Sequence, residues 1–398
     1  MRASRVIAGM LLLATAACQE RLTAPGDCPG LCPSGTTQLL DEVIPGERDT
    51  TFSGFVQPGQ GVSLLVANGV EGEESRGIVR FIRRGDSLLV QDTVRLLTVD
   101  SVNLSLFIQD RDKAVPGLQV EVFKLPATVA VDQATTFAEV EAALTPDRRI
   151  ALVAIPDTLT RGAVFARFAG DIAFAPEDDR VLRLAYRLVS PTPTSVRIGS
   201  GNSGGETPGF ITYGRVTVED STLRSQVVPR IVAFSSFVGV GAGSPPDPTA
   251  LVAGGVPSSR ALVRFTLPPR IRDSAQIVRA TLQLVPLVAV RGLSADTAEL
   301  DVRGILSDLD AKSPRLSNEG RTVFQALPAG ATDTVRVDVT NIVELWQAGV
   351  GLPPALMLGL SPEASSFTVG VFGSAESPAG FRPSLRITYA LPFAFEAQ

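Results

Sequence analysis

Ser259-Arg-Ala-Leu-Val-Arg-Phe265 repeats Ser75-Arg-Gly-Ile-Val-Arg-Phe81 with two changes. Each is a short run of β-branched and apolar residues entered through Ser-Arg, which is how a strand is written. Leu262-Val-Arg-Phe-Thr-Leu267 is apolar enough to predict a central strand covered on both faces. The likeness continues outward in both directions. Phe52-Ser-Gly-Phe-Val56 matches Phe234-Ser-Ser-Phe-Val238, and Leu65-Val-Ala-Asn-Gly-Val70 matches Leu251-Val-Ala-Gly-Gly-Val256. Downstream, Val102-Asn-Leu-Ser-Leu106 answers to Ala280-Thr-Leu-Gln-Leu284, and Val181-Leu-Arg-Leu184 to Ala355-Leu-Met-Leu358. Ser195-Val-Arg-Ile198 answers to Phe367-Thr-Val-Gly-Val371, and both series close on Ile-Thr-Tyr, at 211–213 and 387–389. The order is kept at an offset of about 180 residues, far longer than a solenoid period, so the repeat is a tandem pair of domains.

The spacing sets the expected boundaries: 1–17 a signal peptide, 18–43 a lipidated cysteine and flexible tether, 44–216 copy one, 227–392 copy two. The connection from Glu219 to Ser225 is short and polar, which holds the copies close. Many short strands with little helix predict an all-β fold of two tandem jelly-roll-like β-sandwiches. Thr334-Val-Arg-Val-Asp-Val-Thr340 alternates as a half-buried strand should. Short helices are expected over 341–348, with Thr340 as cap, and over 136–144.

Composition narrows the function. The chain has 398 residues, a net charge of −5 and no histidine. The charge and the absence of a concentrated basic stretch exclude a nucleic-acid partner. The missing histidine removes Ser-His-Asp and Cys-His chemistry and every His-containing zinc site.

Arg2 and Arg5 precede an apolar run from Val6 to Ala14, then Ala16, Ala17 and Cys18. This is the layout of an export signal too short to span a bilayer. It resembles a bacterial lipobox with Thr15 where the pattern prefers Leu. Lipidation of Cys18 leaves Cys28 and Cys32 to form a disulfide, whereas ordinary secretion after Ala16 leaves an odd thiol. Gln19 after the cysteine points, by analogy with lipoprotein sorting, to the outer membrane. The expected location is an outer-membrane lipoprotein or the cell surface, otherwise secretion, with the membrane as a partner through the lipid anchor.

Copy two resembles the DNRLRE-type domains of exported bacterial and archaeal proteins. The carriers are Ser259 to Pro268, Ala280 to Leu284, Val335-Arg-Val-Asp-Val-Thr340 leading into Trp346, and Phe381-Arg-Pro-Ser-Leu-Arg-Ile-Thr-Tyr389. Copy one departs: Ala151-Leu-Val-Ala-Ile155 stands in for the Val-Asp-Val-Thr strand, no Trp follows, and Arg-Pro is missing before Ile211. The resemblance implies a jelly roll related to carbohydrate-binding modules that take acidic polysaccharide such as alginate.

Arg264, Asp338 and Arg382 are the candidate ligand-binding residues. Against that role, Arg264 and its counterpart Arg80 read as partly buried arginines paired with a carboxylate, Asp338 for Arg264. Trp346, on the apolar face of a short helix, reads as core, and Tyr213 and Tyr389 as framework. The acidic groups Asp110/Asp112, Glu177–Asp179 and Asp308/Asp310 would suit structural calcium, although none has an ordered loop signature. The Gly-rich stretch 199–209 precedes no helix and reads as a loop. No catalytic residue, metal site or cofactor is otherwise expected. The function expected is a non-catalytic surface lipoprotein whose sandwiches bind extracellular polysaccharide. The alternatives are a structural or adhesive module without a small ligand, and a polysaccharide-degrading enzyme, against which the absence of His counts.

Overall fold

A computed structural model describes residues 39–70, 72–83, 85, 87–169, 179, 181–218, 223–240, 249–292, 298–317, 322–348 and 351–391. The signal segment, Cys18, Cys28 and Cys32 lie outside these residues. The fold is all-β, built of antiparallel sheets that stack into two sandwiches.

The second sandwich is the plainer. One layer runs β1-β23-β17-β20: Leu39–Pro45 (β1), Ser384–Ala390 (β23), Gln276–Leu284 (β17) and Val335–Asp338 (β20). The facing layer runs β19-β18-β21-β16-β2: Thr322–Ala326 (β19), Glu299–Gly304 (β18), Ala355–Ser361 (β21), Ser259–Arg264 (β16) and Arg48–Ser53 (β2). Leu251–Gly254 (β15) and Val369–Phe372 (β22) pair beside it. Numbering β1, β16, β17, β18, β19, β20, β21 and β23 from 1 to 8 in chain order, the layers read 1-8-3-6 and 5-4-7-2. That is the order of a jelly roll.

The first sandwich repeats the plan. Leu223–Arg230 (β13), Gly209–Thr217 (β12), Thr93–Arg111 (β6) and Gly162–Ala169 (β9) make one layer. Arg149–Ala154 (β8), Gln119–Lys124 (β7), Arg183–Val189 (β10), Glu73–Phe81 (β4) and Val232–Val240 (β14) make the other. Ser63–Val70 (β3) and Thr194–Gly199 (β11) take the places of β15 and β22. The 19-residue β6 also pairs with β11, so the two layers here curl into one continuous sheet. Ser87–Val90 (β5) folds back on the start of β6.

Alternation explains the cores. In β4 and β16, Val79 and Phe81, or Ala261, Val263 and Phe265, point between the layers. Ile78 and Leu262 point outward into smaller apolar clusters on the far faces. The strand expected over Leu262–Leu267 is Ser259–Arg264 and is covered on both faces, since Ala261, Leu262 and Val263 are all fully buried; Phe265 to Leu267 lie past its end, with Thr266 exposed. On the first sandwich the outer cover includes Phe137–Ala143 (α1), started by a capping box between Thr136 and Glu139. Thr340–Gln347 (α3) closes the second core with Ile342, Val343 and Trp346, and Pro269–Ser274 (α2) packs beside it. Trp346 is core.

Two sequence expectations change. Ala151 to Ile155 does not replace the Val-Asp-Val-Thr strand. It lies in β8, at the layer edge beside β7, where β19 lies in the other sandwich. The position of β20 is taken by β9, which pairs with β6 as β20 pairs with β17. Residues 39–43, expected as tether, are strand, because Leu40 and Ile44 turn inward onto the second core.

The third finding is that repeat and folded unit are out of phase. β2 ends in the copy-one Phe52-Ser53, yet it pairs with β16 of copy two. β14 carries the copy-two Phe234-Ser-Ser-Phe-Val238, yet it pairs with β4 of copy one. Likewise β1 borders β23 and β13 borders β12. Each layer thus has one edge strand supplied from outside its own repeat, while the opposite edge is its own. Chain proximity explains the choice: β13 follows β12 by a short connection and pairs with it as a hairpin, which is the least costly loop to close. With that edge taken, β1 is left to complete the equivalent edge beside β23. The registers differ, with Phe234 opposite Arg80 but Phe52 opposite Arg260. Arg260 corresponds to Arg76, so the displacement is four residues; an even shift keeps each side chain on its face.

Candidate functional site

The candidate ligand residues do not converge. Arg264 points to the outer face of β16, where it donates from Nε to Asp308 at 2.5 Å and from Nη2 to Asp308 and Asp310 at 2.7 and 2.6 Å. Its Nη1 reaches Thr50 of β2 at 3.2 Å. The expected partner Asp338 is not the one found, because it sits at the end of β20 in the opposite layer. There its Oδ1 accepts from the Thr340 hydroxyl at 2.6 Å and orients the start of α3. Arg382 lies in the loop before β23 and donates to the Ser377 carbonyl at 2.7 Å. Arg80 donates to the Ala130 carbonyl and stands 5.9 Å from the centre of the Phe234 ring.

Each acidic group has at least one carboxylate committed to a cation, and Asp112 accepts from the Ala114 amide. Arg264 beside Asp308 holds that carboxyl below its usual range. Arg183 brings Asp179 down to about 2, and Asp110 pairs with Arg197. Glu177 and Asp178 lie outside the described residues. Among the described residues no three Cys, Asp or Glu side chains gather as a metal cluster.

The first arginine of each Ser-Arg pair, which sequence reasoning passed over, organises more of the structure. Arg260 makes a two-pronged pair with Glu363, both contacts at 2.6 Å, and its guanidinium lies 4.3 Å from the centre of the Phe55 ring. Arg315 bridges Glu363 and Asp301 at 3.4 Å, and Arg303 donates to Asp301. Burial, with Arg260 and Arg303 nearby, pulls the Arg315 guanidinium down from its ordinary range. On the first sandwich Arg76 pairs with Glu74 and Glu141, while Arg187 and Arg149 share Glu121. Burial pushes the Glu121 carboxyl up, but hydrogen bonds from the two arginines outweigh it and the net shift is downward. The clue in the sequence is that Arg76/Arg260 recurs with Arg80/Arg264 at a spacing of four, hence on one strand face. Their partners sit in segments that do not repeat.

A cleft of about 880 Å³ opens where the two sandwiches meet. The chain crossing at Gln57 to Gly59, the start of β4, the loop before α1 and the exposed edge of β14 border it on one side. The β15–β16 turn, Arg291 and Phe367 border it on the other. Two contacts tie the walls together: Arg291 Nη2 donates to Glu73 Oε1 at 2.7 Å, and Phe237 meets Phe367 edge to face at 6.3 Å. Gly254 shapes the turn. Its φ is +94°, and a Cβ there would lie 2.1 Å from Leu360 Cδ1. The charged groups of the rim are held in place. Glu74 is bonded to Arg76, and Asp132 Oδ1 accepts from Thr135 Oγ1 and the Ala134 amide. Hydroxyls and amides of Ser53, Gln57, Gln133 and Ser236 add hydrogen-bonding capacity. Such a cleft can bind an uncharged, hydroxyl-bearing chain through fixed donors and acceptors.

The fold and cleft define a class: an all-β protein of two jelly rolls with a shared cleft of mixed polar and apolar lining. In comparisons with known proteins, no family model and no curated protein matches the chain.

Proposed function

We propose that this chain is a non-catalytic surface module, anchored by a lipid on Cys18, that holds a segment of extracellular polysaccharide between its sandwiches. The cleft carries the reading: it is large, lies at a domain junction, and is bordered by preset polar groups around the half-buried ring of Phe367. Arg291 and Arg76 offset Glu73 and Glu74, which leaves Asp132, held by Thr135 and the Ala134 amide, as the like charge an anionic sugar would meet, and a neutral chain avoids it. That reverses the preference implied by the DNRLRE resemblance. Each of these carboxylates has a fixed partner, so none of the three stands as a free acid–base pair for glycoside cleavage. Affinity electrophoresis of the chain from residue 39 onward tests the proposal against neutral glycans, alginate and pectin. Retardation by a neutral glycan, weakened in Gln133→Ala, is expected. Mobility unchanged on all of them overturns polysaccharide binding.

A further inference from the structure

The strands that complete the second sandwich come from the far end of the chain, and their seat does not depend on belonging to the same molecule. We propose that Leu39–Ser53 of one chain also completes the second sandwich of a second copy, linking chains by strand exchange.

Four observations carry this. First, the segment is a discrete insert. β1 pairs with β23 from Leu39↔Ala390 to Pro45↔Ser384, and β2 pairs with β16 from Arg48↔Arg264 to Ser53↔Ser259. Backbone pairing of this kind is the contact by which donor strands join separate chains.

Second, the charges match. The segment carries Asp41, Glu42, Glu47 and Asp49 against the single Arg48. Its seat presents Arg386 to Asp41 and Arg270 to Glu42, and Arg264 adds a neutral hydrogen bond to Thr50. A second copy offers the same set.

Third, the chain already exchanges strands internally. β14 fills in the first sandwich the place that β2 fills in the second, carrying the related Phe-Ser-x-Phe-Val signature in another register. Both seats therefore accept a strand from outside their own repeat.

Fourth, the crossing is short and pinned at both ends. Gly54 and Phe55 donate to the Ser258 carbonyl on the second sandwich. Gly59 and Gly61 accept from Asn202 and Ser200 on the first. Val56 accepts from the Ser258 amide, so only Gln57 and Pro58 lie between the pinned ends as a hinge, and a short hinge is where intramolecular and intermolecular closure compete.

The contacts are the same in either form, so concentration decides. A short connection gives the attached strand an effective concentration of about millimolar, which keeps dilute chains closed on themselves. Chains crowded at one surface approach that regime. Reciprocal exchange closes a dimer, and one-way exchange propagates a filament. The cleft is remade in the process, because Ser53 and Gln57 then come from the neighbouring chain.

The test uses the mature chain with Cys18, Cys28 and Cys32 changed to Ser, carrying either Val43→Cys or Arg386→Cys. These positions face one another across β1 and β23. The two variants are unfolded together and refolded at about 1 µM and at about 1 mM, a range that reaches the expected effective concentration from well below it. The expected result is a disulfide joining residue 43 of one chain to residue 386 of the other, identified by mass spectrometry of the linked peptides. It should rise roughly several hundredfold over that range, and exceed the level in the same chains mixed without unfolding. A chain carrying both cysteines, refolded dilute, should close the same disulfide within itself. If it closes while the mixture shows no excess interchain link, exchange between chains is overturned. If it fails to close, the seating of β1 on β23 is itself wrong and the proposal falls with it. Neither outcome bears on glycan retardation.

Discussion

Arg260 grips both carboxylate oxygens of Glu363, 103 residues away, and stacks its other face on Phe55 from the start of the chain. The side chains of the pair are only 15% and 13% exposed. Removing one partner leaves the other charge poorly solvated, and Arg315 loses a counter-ion as well. Glu363→Ala is expected to destabilise the second sandwich by about 3 kcal/mol, the lower end for a broken buried pair because the site is not sealed from water. Denaturant unfolding measures this. A loss well under 1 kcal/mol, on the scale of a surface pair, would show that the network adds little.

Asp308 gives the structure an acid-sensitive contact. Its hydrogen bonds from Arg264 place the folded carboxyl below the ordinary value of 3.8. A lowered folded value means the contribution is complete above the unfolded value and is lost as pH falls through the folded one. Asp308→Asn should therefore weaken the protein at neutral pH, and the gap to wild type should close below about pH 4. Paired unfolding curves across that range check it; a gap independent of pH would show that the charge is not the cause.

Gly77 and Tyr186 explain one divergence between the copies. They are cross-strand partners, and a Cβ on Gly77 would lie 3.1 Å from Tyr186 Cδ2 and 3.2 Å from Val66 Cγ2. Copy two has Ala261 at that place, opposite Leu358. Gly77→Ala alone should lose about 1–3 kcal/mol through overpacking. Combined with Tyr186→Leu the two losses should not add, since the clash is shared. The Tyr186 hydroxyl is fully buried without a hydrogen-bond partner among the described residues, and burial raises its pKa. Tyr186→Phe should thus be neutral or stabilising by up to about 1 kcal/mol. Clear destabilisation of Tyr186→Phe would mean that a water serves that hydroxyl.

Arg291 joins the two walls of the cleft through Glu73. Both side chains are partly exposed, so Arg291→Ala should change stability by less than about 1 kcal/mol. It should nevertheless alter glycan retardation, because it frees the Glu73 wall. Equal retardation by Arg291→Ala and wild type would move the binding site elsewhere.

Much of the fold is legible in the chain. The apolar run of β16, the alternation of β20, the capping pair Thr136 and Glu139, and the apolar face of α3 are local features, and local propensity decides them. The ionic partners are not legible. Arg264 reads as a paired arginine, but whether Asp338 or Asp308 answers it depends on which layer each strand joins. The cleft is less legible still: Glu73 and Arg291 meet across 218 residues. Cys18, Cys28 and Cys32 lie outside the described residues.

The sequence by itself determines that there are two copies of one strand set, and which side of each strand faces a core. Both follow from periodicity, which a single strand carries within itself. Only the tertiary structure decides which sandwich a strand completes. The backbone bonds that seat β2 on β16 and β14 on β4 are alike in kind, and both strands carry versions of one short signature. The shared signature does not distinguish the two seats, and the contacts that do, such as Arg386 with Asp41, come from far along the chain. The choice falls to loop closure, with β13 taking the edge nearest its own connection and β1 taking the edge that remains.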